Sequence, residues 1–354
     1  MGRPGPRLSA GAGAAVALAV RRHLRDLPPG PVLVGVSGGA DSLALLAGAL
    51  DVADGLGRAV GAVCVDHGWR PQTADVVRRA ARAALALGAS PVRVVRVVPQ
   101  RHGPGAGGAE EAARTARLAA LDAVAARDEA VAVLLGHTLD DQAEQVLLGL
   151  ARGSGTRSLA GMPAVRDGLL RPLLGVRRAV VREATVPLAP LLAPLGLPWE
   201  DPSNTDPVHL RPRVRHDVVP ALEAALGEGA VRSLARTADL ARADADALDG
   251  WAGAVVAGLP DLDAPDGVPV APLAGLPGAV RRRCLRLLAL RAGAGALTAA
   301  HTAALDALVD DWHGQGPVAL PGGVGVRRSS GPDGCGRLRA TPAPRPREDP
   351  HGRP

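Results

Sequence analysis

Short apolar runs alternate with longer amphipathic segments over the first 152 residues. Runs with the length and β-branched content of buried strands lie at 31–36, 59–66, 91–98 and 131–136. Helices are predicted at 8–26, from about 41, at 72–87, at 109–127 and at 139–152. This alternation favours parallel βαβ units. We therefore expect an α/β fold, with helices on both faces of a parallel sheet.

The alternation fades after about residue 160. Helices are predicted at 177–195, 213–226, 228–257, 277–292 and 298–312, a linker at 258–276, and a hairpin at 318–328 that turns at Pro321-Gly-Gly323. The Gly-rich stretch 103–108 is expected to be mobile. We expect an α/β domain at 1–220, a smaller, mainly helical domain at 221–335 and a disordered tail at 336–354.

The amino-acid composition excludes several kinds of functional site. All 41 basic residues among the 354 are Arg, and Phe and Tyr are absent, a bias that we attribute to a GC-rich genome. Without Lys there is no Schiff-base lysine and no P-loop that ends in Gly-Lys-Ser/Thr. Without Phe and Tyr there is no RRM-type stacking surface.

Charge and cysteine content add weaker constraints. The net charge of +6 suits a phosphate polymer, but an Arg-only composition raises charge without any partner. Cys64, Cys284 and Cys335 form no CxxC pair, which argues against a disulfide framework and a zinc knuckle. Neither a signal peptide nor a long apolar span is apparent, so a cytoplasmic protein is expected, with no membrane partner.

The segment Ser37-Gly-Gly-Ala-Asp-Ser42 lies between a predicted strand and a predicted helix. Adjacent glycines let the backbone approach an anion, and the amides and dipole of the helix start favour negative charge. A carboxylate beside a polyphosphate makes sense with Mg²⁺ between them, which makes Asp41 the candidate metal ligand. The alternative is a tight turn with a serine cap.

A second polar segment runs from His137 to Glu144 after the fourth strand. Asp140, Asp141 and Glu144 are spaced so that one helix face can carry converging carboxylates, and the carboxyl end of a parallel strand is where such sheets bind ligands. The acids suit a metal or a cationic substrate, and simple charge complementarity at a helix start is the alternative. Glu110, Arg114 and Arg117 also share one helix face.

These motifs, taken in order, resemble those of the PP-loop ATP pyrophosphatase family, and in particular the branch that joins lysine to a tRNA cytidine. The resemblance covers about 30–220 and rests on the following segments: Ser37–Ser42, Val65-Asp-His-Gly-Trp-Arg70, Glu110 with Arg114 and Arg117, His137-Thr-Leu-Asp-Asp-Gln-Ala-Glu144, Arg152-Gly-Ser-Gly155, Arg171-Pro-Leu-Leu174, and Glu200-Asp-Pro-Ser-Asn204 with Arg211 and Arg215.

The resemblance implies ATP and Mg²⁺, free L-lysine and a tRNA(Ile) with a CAU anticodon. It implies that the wobble cytidine is adenylated and then receives lysine at C2, which gives lysidine, AMP and pyrophosphate. ATP would be held by Ser37, Gly38, Gly39, Ala40, Asp41, Ser42, Val65, Gly136 and His137. Catalysis would depend on Asp41, Arg117, Asp141 and Glu144, the last three also binding lysine. The tRNA would contact Arg211, Arg215, Arg281, Arg282 and Arg283.

Three alternatives remain at this point. A PP-loop tRNA thiolase normally needs a catalytic cysteine or a CxxC pair, and the three cysteines provide neither. A small-molecule amide ligase would not need the Arg-rich second domain, so salt-sensitive tRNA binding discriminates against it. An Arg-rich RNA-binding protein with a degenerate loop would not cleave ATP. The oligomeric state is left open, a homodimer included.

Overall fold

The chain forms two compact units. A computed structural model describes residues 8, 10–66, 68, 73–98, 109–153, 155–331 and 333–342. The first unit comprises Met1–Gly153 and Ser158–Asp239, and the second comprises Ser154–Arg157 and Leu240–Pro354. The boundary therefore lies later than the expected residue 220, because Val231 and Ala235 pack with Leu139 and Ala143 in an apolar cluster of the first unit.

The first five helices of the first unit, and α11, begin and end close to the predicted positions. The helices of this unit are α1 (Ala10–Leu24), α2 (Ala40–Ala53), α3 (Thr73–Leu87), α4 (Ala109–Arg127), α5 (Leu139–Ala151), α6 (Thr156–Leu159), α7 (Arg178–Ala184), α8 (Ala189–Leu192), α9 (Leu210–Arg213), α10 (Val219–Leu226) and α11 (Ala230–Ala257), which continues into the second unit. The strands are β1 (Val32–Gly35), β2 (Val60–Asp66), β3 (Val92–Arg96), β4 (Ala132–Leu134), β5 (Val165–Arg166) and β6 (Leu169–Leu170).

These strands form one sheet in the order β3-β2-β1-β4-β6-β5, parallel except for the β5–β6 pair. Alternate residues of β1 point to opposite faces. Val32 and Val34 belong to the core formed with α1, α2 and α3, whereas Leu33 packs with Leu121 and Val124 of α4. The predicted parallel sheet with helices on both faces is confirmed.

The predicted helix at 177–195 is interrupted. Its first part is α7 and its second part is α8, with short 3-10 turns at Val186–Leu188 and Ala193–Leu195. Pro187, Pro190 and Pro194 account for the break, because proline donates no backbone hydrogen bond and crowds the preceding turn.

The second unit adds β7 (Val268–Pro269), α12 (Ala271–Ala274), α13 (Gly278–Arg291), α14 (Ala299–Asp310), β8 (Val318–Leu320), β9 (Val324–Ser330) and β10 (Gly336–Pro342). Its sheet is antiparallel in the order β7-β10-β9-β8. The predicted hairpin is confirmed as β8 and β9. The prediction that disorder starts at residue 336 is wrong, because β10 pairs with β7 and β9 and its Leu338 is fully buried.

Two predicted segments cannot be compared with the structure. The Gly-rich stretch 103–108, expected to be mobile, and residues 343–354 of the expected disordered tail lie outside the described residues. Within the described ranges, no helix combines the length and the apolar character that crossing a membrane requires.

Candidate active site

The loop between β1 and α2 is held by its own serines. The Ser37 amide donates to Ser42 Oγ (3.2 Å), the Gly39 amide donates to Ser37 Oγ (3.4 Å), and Ser42 Oγ donates to the Gly39 carbonyl (2.9 Å). Gly38 has a φ of +87°, which favours glycine. The Trp199 amide donates to the Gly38 carbonyl (2.9 Å). The loop is therefore shaped before any anion binds.

The loop that follows β4 approaches α2 closely. A Cβ atom at Gly136 would lie 3.0 Å from the carbonyl carbon and oxygen of Asp41, so only glycine fits without displacing backbone. β1 and β4 are neighbours, while β2 lies on the other side of β1. The two loops thus meet where the strand order reverses, the usual ligand crevice of an open α/β sheet.

Asp141 has a structural role at the start of α5. Its Oδ2 accepts from the Thr138 amide (2.8 Å) and hydroxyl (2.7 Å), and the Thr138 Oγ1 accepts from the Asp141 amide (3.4 Å). This capping box satisfies amides at the helix start. The other oxygen of Asp141 remains available to the site.

Three carboxylates converge next to the loop, as the spacing predicted for two of them. Arg178 links all three: its Nη2 donates to Asp141 Oδ1 (2.8 Å) and Glu144 Oε1 (3.0 Å), and its Nε lies 3.8 Å from Asp41 Oδ2. Arg215 also donates to Asp141 (3.1 Å) and to both oxygens of Glu144 (2.8 and 3.0 Å). Asp41, Asp141 and Glu144 are called the carboxylate cluster below.

The acids of this cluster have divergent proton affinities. Burial and the neighbouring Asp141 raise the pKa of Asp41 to about 6, although Arg178 acts in the opposite direction. Burial opposes ionisation of Asp141 too, but Arg178 and the hydrogen bonds from Thr138 lower its pKa to about 2. Among the described residues, the buried Oδ1 of Asp41 has no hydrogen-bond partner. That free oxygen fits a metal ligand beside a phosphate.

Asp140 does not join the cluster. Its Oδ2 accepts from the Arg178 amide (2.6 Å) and its Oδ1 accepts from Arg177 Nε (3.2 Å), so it caps the start of α7. Arg177 continues to Glu223 (2.9 Å). Asp140 thus ties α5 to α7 and leaves the other two acids of the segment to the site.

A buried cation, Arg117, lies within electrostatic range of His137 and Arg211. The Nε of Arg117 is buried and has no hydrogen-bond acceptor among the described residues. Burial lowers the pKa of Arg117, and Arg114 and Arg211 add to the effect. Burial also lowers the pKa of His137 to about 3, so its ring is neutral, and its Nδ1 is buried without a partner in the described part of the chain. Arg117 and His137 together offer a site for an anion.

The arginines predicted to bind tRNA lie in different surroundings. In the first unit, Arg215 is bound to the carboxylate cluster, and Arg211 Nε lies 3.4 Å from Glu144 Oε2, so both lie against the cluster. In the second unit, Arg281 is 7% exposed and pairs with Asp306 (2.7 Å) and Asp310 (3.0 Å). Its guanidinium therefore stabilises the unit and is not free for a phosphate.

The neighbours of Arg281 differ from it. Arg282 also reaches Asp306 (2.8 Å), but its side chain is 58% exposed. Arg283 is mostly covered and donates to Asp249 (2.7 Å). Arg282 is thus the member of this group that can contact a phosphate.

Two other predicted site residues are Val65 and Glu110. Val65 lies near the carboxyl end of β2, the strand beside β1, a position compatible with the predicted ATP contact. The side chain of Glu110 lies outside the described residues. Sequence reasoning missed Arg178, although an arginine at a helix start, where the dipole disfavours cations, was a signal that acids lie nearby.

The phosphate loop at the switch point of a parallel sheet, with acids on the next helix, places the fold in the PP-loop ATP pyrophosphatase class. A model of the PP-loop domain matches residues 15–222, and a model of the TilS substrate binding domain matches residues 269–331. The tRNA(Ile)-lysidine synthase of Thermobifida fusca is 51% identical over 334 residues, 90% of this chain and 95% of that protein. The chain belongs to the tRNA(Ile)-lysidine synthase family, a family of ligases.

Two further comparisons agree. The tRNA(Ile)-lysidine synthase of Streptomyces coelicolor is 49% identical over 312 residues, 86% of this chain and 85% of that protein. Among solved structures, the U34-tRNA thiolase NcsA from Methanococcus maripaludis, with its 4Fe–4S cluster, has a TM-score of 0.50 at 20% identity. The match covers 65% of this chain and 80% of the thiolase chain, and it shows that the two proteins share a fold.

Proposed function

We propose that this chain is a tRNA-modifying ligase that uses ATP to join lysine to C2 of the wobble cytidine of tRNA(Ile), in the cytoplasm. The observation that carries the proposal is the combination of a preformed phosphate loop with the carboxylate cluster and with a buried cation, Arg117, near His137. Lysine carries both ammonium and carboxylate groups, so it needs both the acids and the cation.

The first step would transfer adenylate. The cytidine O2 attacks the α-phosphate, the α–β phosphoanhydride bond breaks, and pyrophosphate leaves from the loop at Ser37–Ser42. Backbone amides of the loop and of the first turn of α2 would supply fixed donors where charge develops. The free oxygen of Asp41 would hold Mg²⁺, whose charge offsets that of the phosphates.

The second step would form the new C–N bond. The ε-amine of lysine attacks C2, the C2–O bond breaks and AMP leaves. An ammonium must lose a proton before it attacks, and Glu144 would orient the amine and accept that proton. Arg117 would hold the carboxylate of the amino acid.

The thiolase alternative has less support. Cys64 and Cys284 are buried, and burial raises the pKa of Cys64 to about 12, so neither thiol is a ready nucleophile. Only Cys335 is exposed.

The test is mass spectrometry of tRNA nucleosides after incubation of tRNA(Ile), ATP, Mg²⁺ and isotopically labelled lysine with the purified protein. We expect a labelled lysidine nucleoside, with AMP and pyrophosphate in equal amounts. A thiolated nucleoside in the presence of a sulfur donor, or an unmodified tRNA with the full set of substrates, would contradict the proposal.

A further inference from the structure

The first residue of α7 carries the one side chain, among those described, that forms ion pairs with all three members of the carboxylate cluster. This residue is Arg178, whose side chain is 13% exposed. Burial opposes its charge, but Asp141 and Glu144 raise the pKa of Arg178 above its usual value. It is therefore a permanent cation in the nucleotide-free site.

Each carboxylate of the cluster is already paired with at least one arginine. Against the three carboxylates stand three guanidinium groups, those of Arg178, Arg211 and Arg215. An incoming ammonium would add a positive charge to a site that has no negative charge to spare. It can bind well only if one arginine withdraws, because a buried excess charge is costly.

Arg178 is the arginine best placed to withdraw. Of the three, it alone is paired with Asp41, which lies in the first turn of α2 and within the phosphate loop Ser37–Ser42. Its backbone amide is fixed by Asp140 (2.6 Å), so the guanidinium can turn while the main chain stays. Its place at a helix start opposes the helix dipole, which lowers the cost of leaving.

We propose that Arg178 is a positioning residue that couples the two small substrates, an inference that rests on the proposed function. Without nucleotide, Arg178 neutralises the carboxylate cluster. When the pyrophosphate end of ATP occupies the loop, Arg178 turns to the phosphates and leaves the carboxylates for the ammonium of lysine. ATP would thus strengthen lysine binding, and lysine would strengthen ATP binding by the same factor.

The experiment is equilibrium dialysis of radiolabelled lysine with the full chain and Mg²⁺, with and without α,β-methylene-ATP, an analogue that is not cleaved. In the unsubstituted protein we expect the analogue to tighten lysine binding about tenfold, within the usual range of such couplings. In Arg178→Met we expect lysine affinity to be equal under both conditions. Without nucleotide, the variant should bind lysine more tightly than the unsubstituted protein.

Arg177→Met is the matched control, because Arg177 contacts Asp140 and Glu223 and not the cluster. It should keep the full coupling. Arg178→Lys keeps the positive charge on a shorter side chain, so it should restore part of the coupling. If Arg178 had only a structural role, the lysine variant would not restore it.

The inference is overturned if the analogue leaves lysine affinity of the unsubstituted protein unchanged, a result that does not depend on any variant. It is also overturned if Arg178→Met retains the coupling. A protein that forms lysidine in the nucleoside assay but shows no coupling disproves the inference alone. A protein that forms no lysidine there disproves the proposed function.

Discussion

At the scale of single residues, Asp41 combines a buried, unpartnered oxygen with a position beside the phosphate loop. Its raised pKa means that the ionised side chain destabilises the fold at neutral pH. We therefore expect Asp41→Ala to lower tRNA-dependent pyrophosphate release at least about 100-fold without lowering the melting temperature. Asp54→Ala, at an exposed acid just after α2, is the control. Full activity or an unfolded variant would contradict the assignment.

Glu144 is 1% exposed and paired with arginines. We expect Glu144→Gln to raise the lysine concentration for half-maximal rate at least about tenfold, since a charge-assisted hydrogen bond contributes about 1.5–3 kcal/mol. Adenylation should continue, so AMP-linked tRNA should accumulate at limiting lysine and be visible on acid gels. Glu183→Gln, on the exposed side of α7, is the control. Lost adenylation with normal lysine dependence would instead assign the acid to the metal.

His137 predicts a pH dependence of stability. Its folded-state pKa of about 3 lies below the ordinary value of 6.5, so the unfolded chain takes up the proton first. The free energy of unfolding should therefore fall as pH decreases from about 6.5 towards 3, by at most about 1.4 kcal/mol per pH unit. Asp41 acts in the opposite direction between pH 6 and 3.8.

The measurement is urea unfolding of His137→Gln and the unsubstituted protein at several pH values. The variant should show a shallower loss of stability on the acid side. Parallel curves for the two proteins would show that the histidine is protonated in the fold.

The phosphate loop and the acids of α5 were predictable because each is a local pattern of strand, turn and helix. Their arginine partners were not. Arg178 and Arg215 lie 37 and 74 residues from Asp141, and apart from the helix start at Arg178 nothing local separates them from the other arginines of an Arg-only chain. A long-range ion pair depends on the finished fold, which residue spacing does not encode.

At the scale of elements, the contact between the β4–α5 loop and α2 fixes the crevice. Gly136→Ala places a methyl group 3.0 Å from backbone atoms of Asp41, and backbone cannot yield cheaply. We expect a loss of about 1–3 kcal/mol in stability and about tenfold weaker binding of α,β-methylene-ATP in calorimetry. Gly175→Ala, which meets nothing within 4 Å, should change neither. An unaltered affinity in Gly136→Ala would show that the loops separate freely.

Element types were predicted better than element ends. The valine-rich runs identified β1 to β4, whereas β5 and β6 have two residues each and no usable periodicity. The segment at 177–195 kept its apolar spacing, yet its prolines divided it. The strand β10 was assigned to a tail because its Arg and Gly content outweighed the single buried Leu338.

At the scale of the molecule, two neighbouring arginines of α13 in the second unit have different surroundings. Arg281 is buried in an ion pair, whereas Arg282 is exposed. Arg281→Met should leave Asp306 undercompensated and lower stability by about 3 kcal/mol. Arg282→Met should leave stability unchanged, weaken tRNA binding and flatten its salt dependence by roughly 0.7–0.9 logarithmic unit. Filter binding over a salt series, with thermal melts, checks both. A flattened slope in Arg281→Met without a lower melting temperature would reverse the two roles.

The segment Ser154–Arg157 belongs to the second unit although its neighbours on both sides belong to the first. Arg157 pairs there with Asp246 (2.6 Å) and with Asp249. During synthesis, Arg157 leaves the ribosome about 90 residues before those acids. At roughly 5–20 residues per second, it waits about 5–20 seconds for its partners. A nascent chain that stops at residue 239 thus lacks both partners of Arg157, and the catalytic unit does not correspond to any single uninterrupted stretch of the gene.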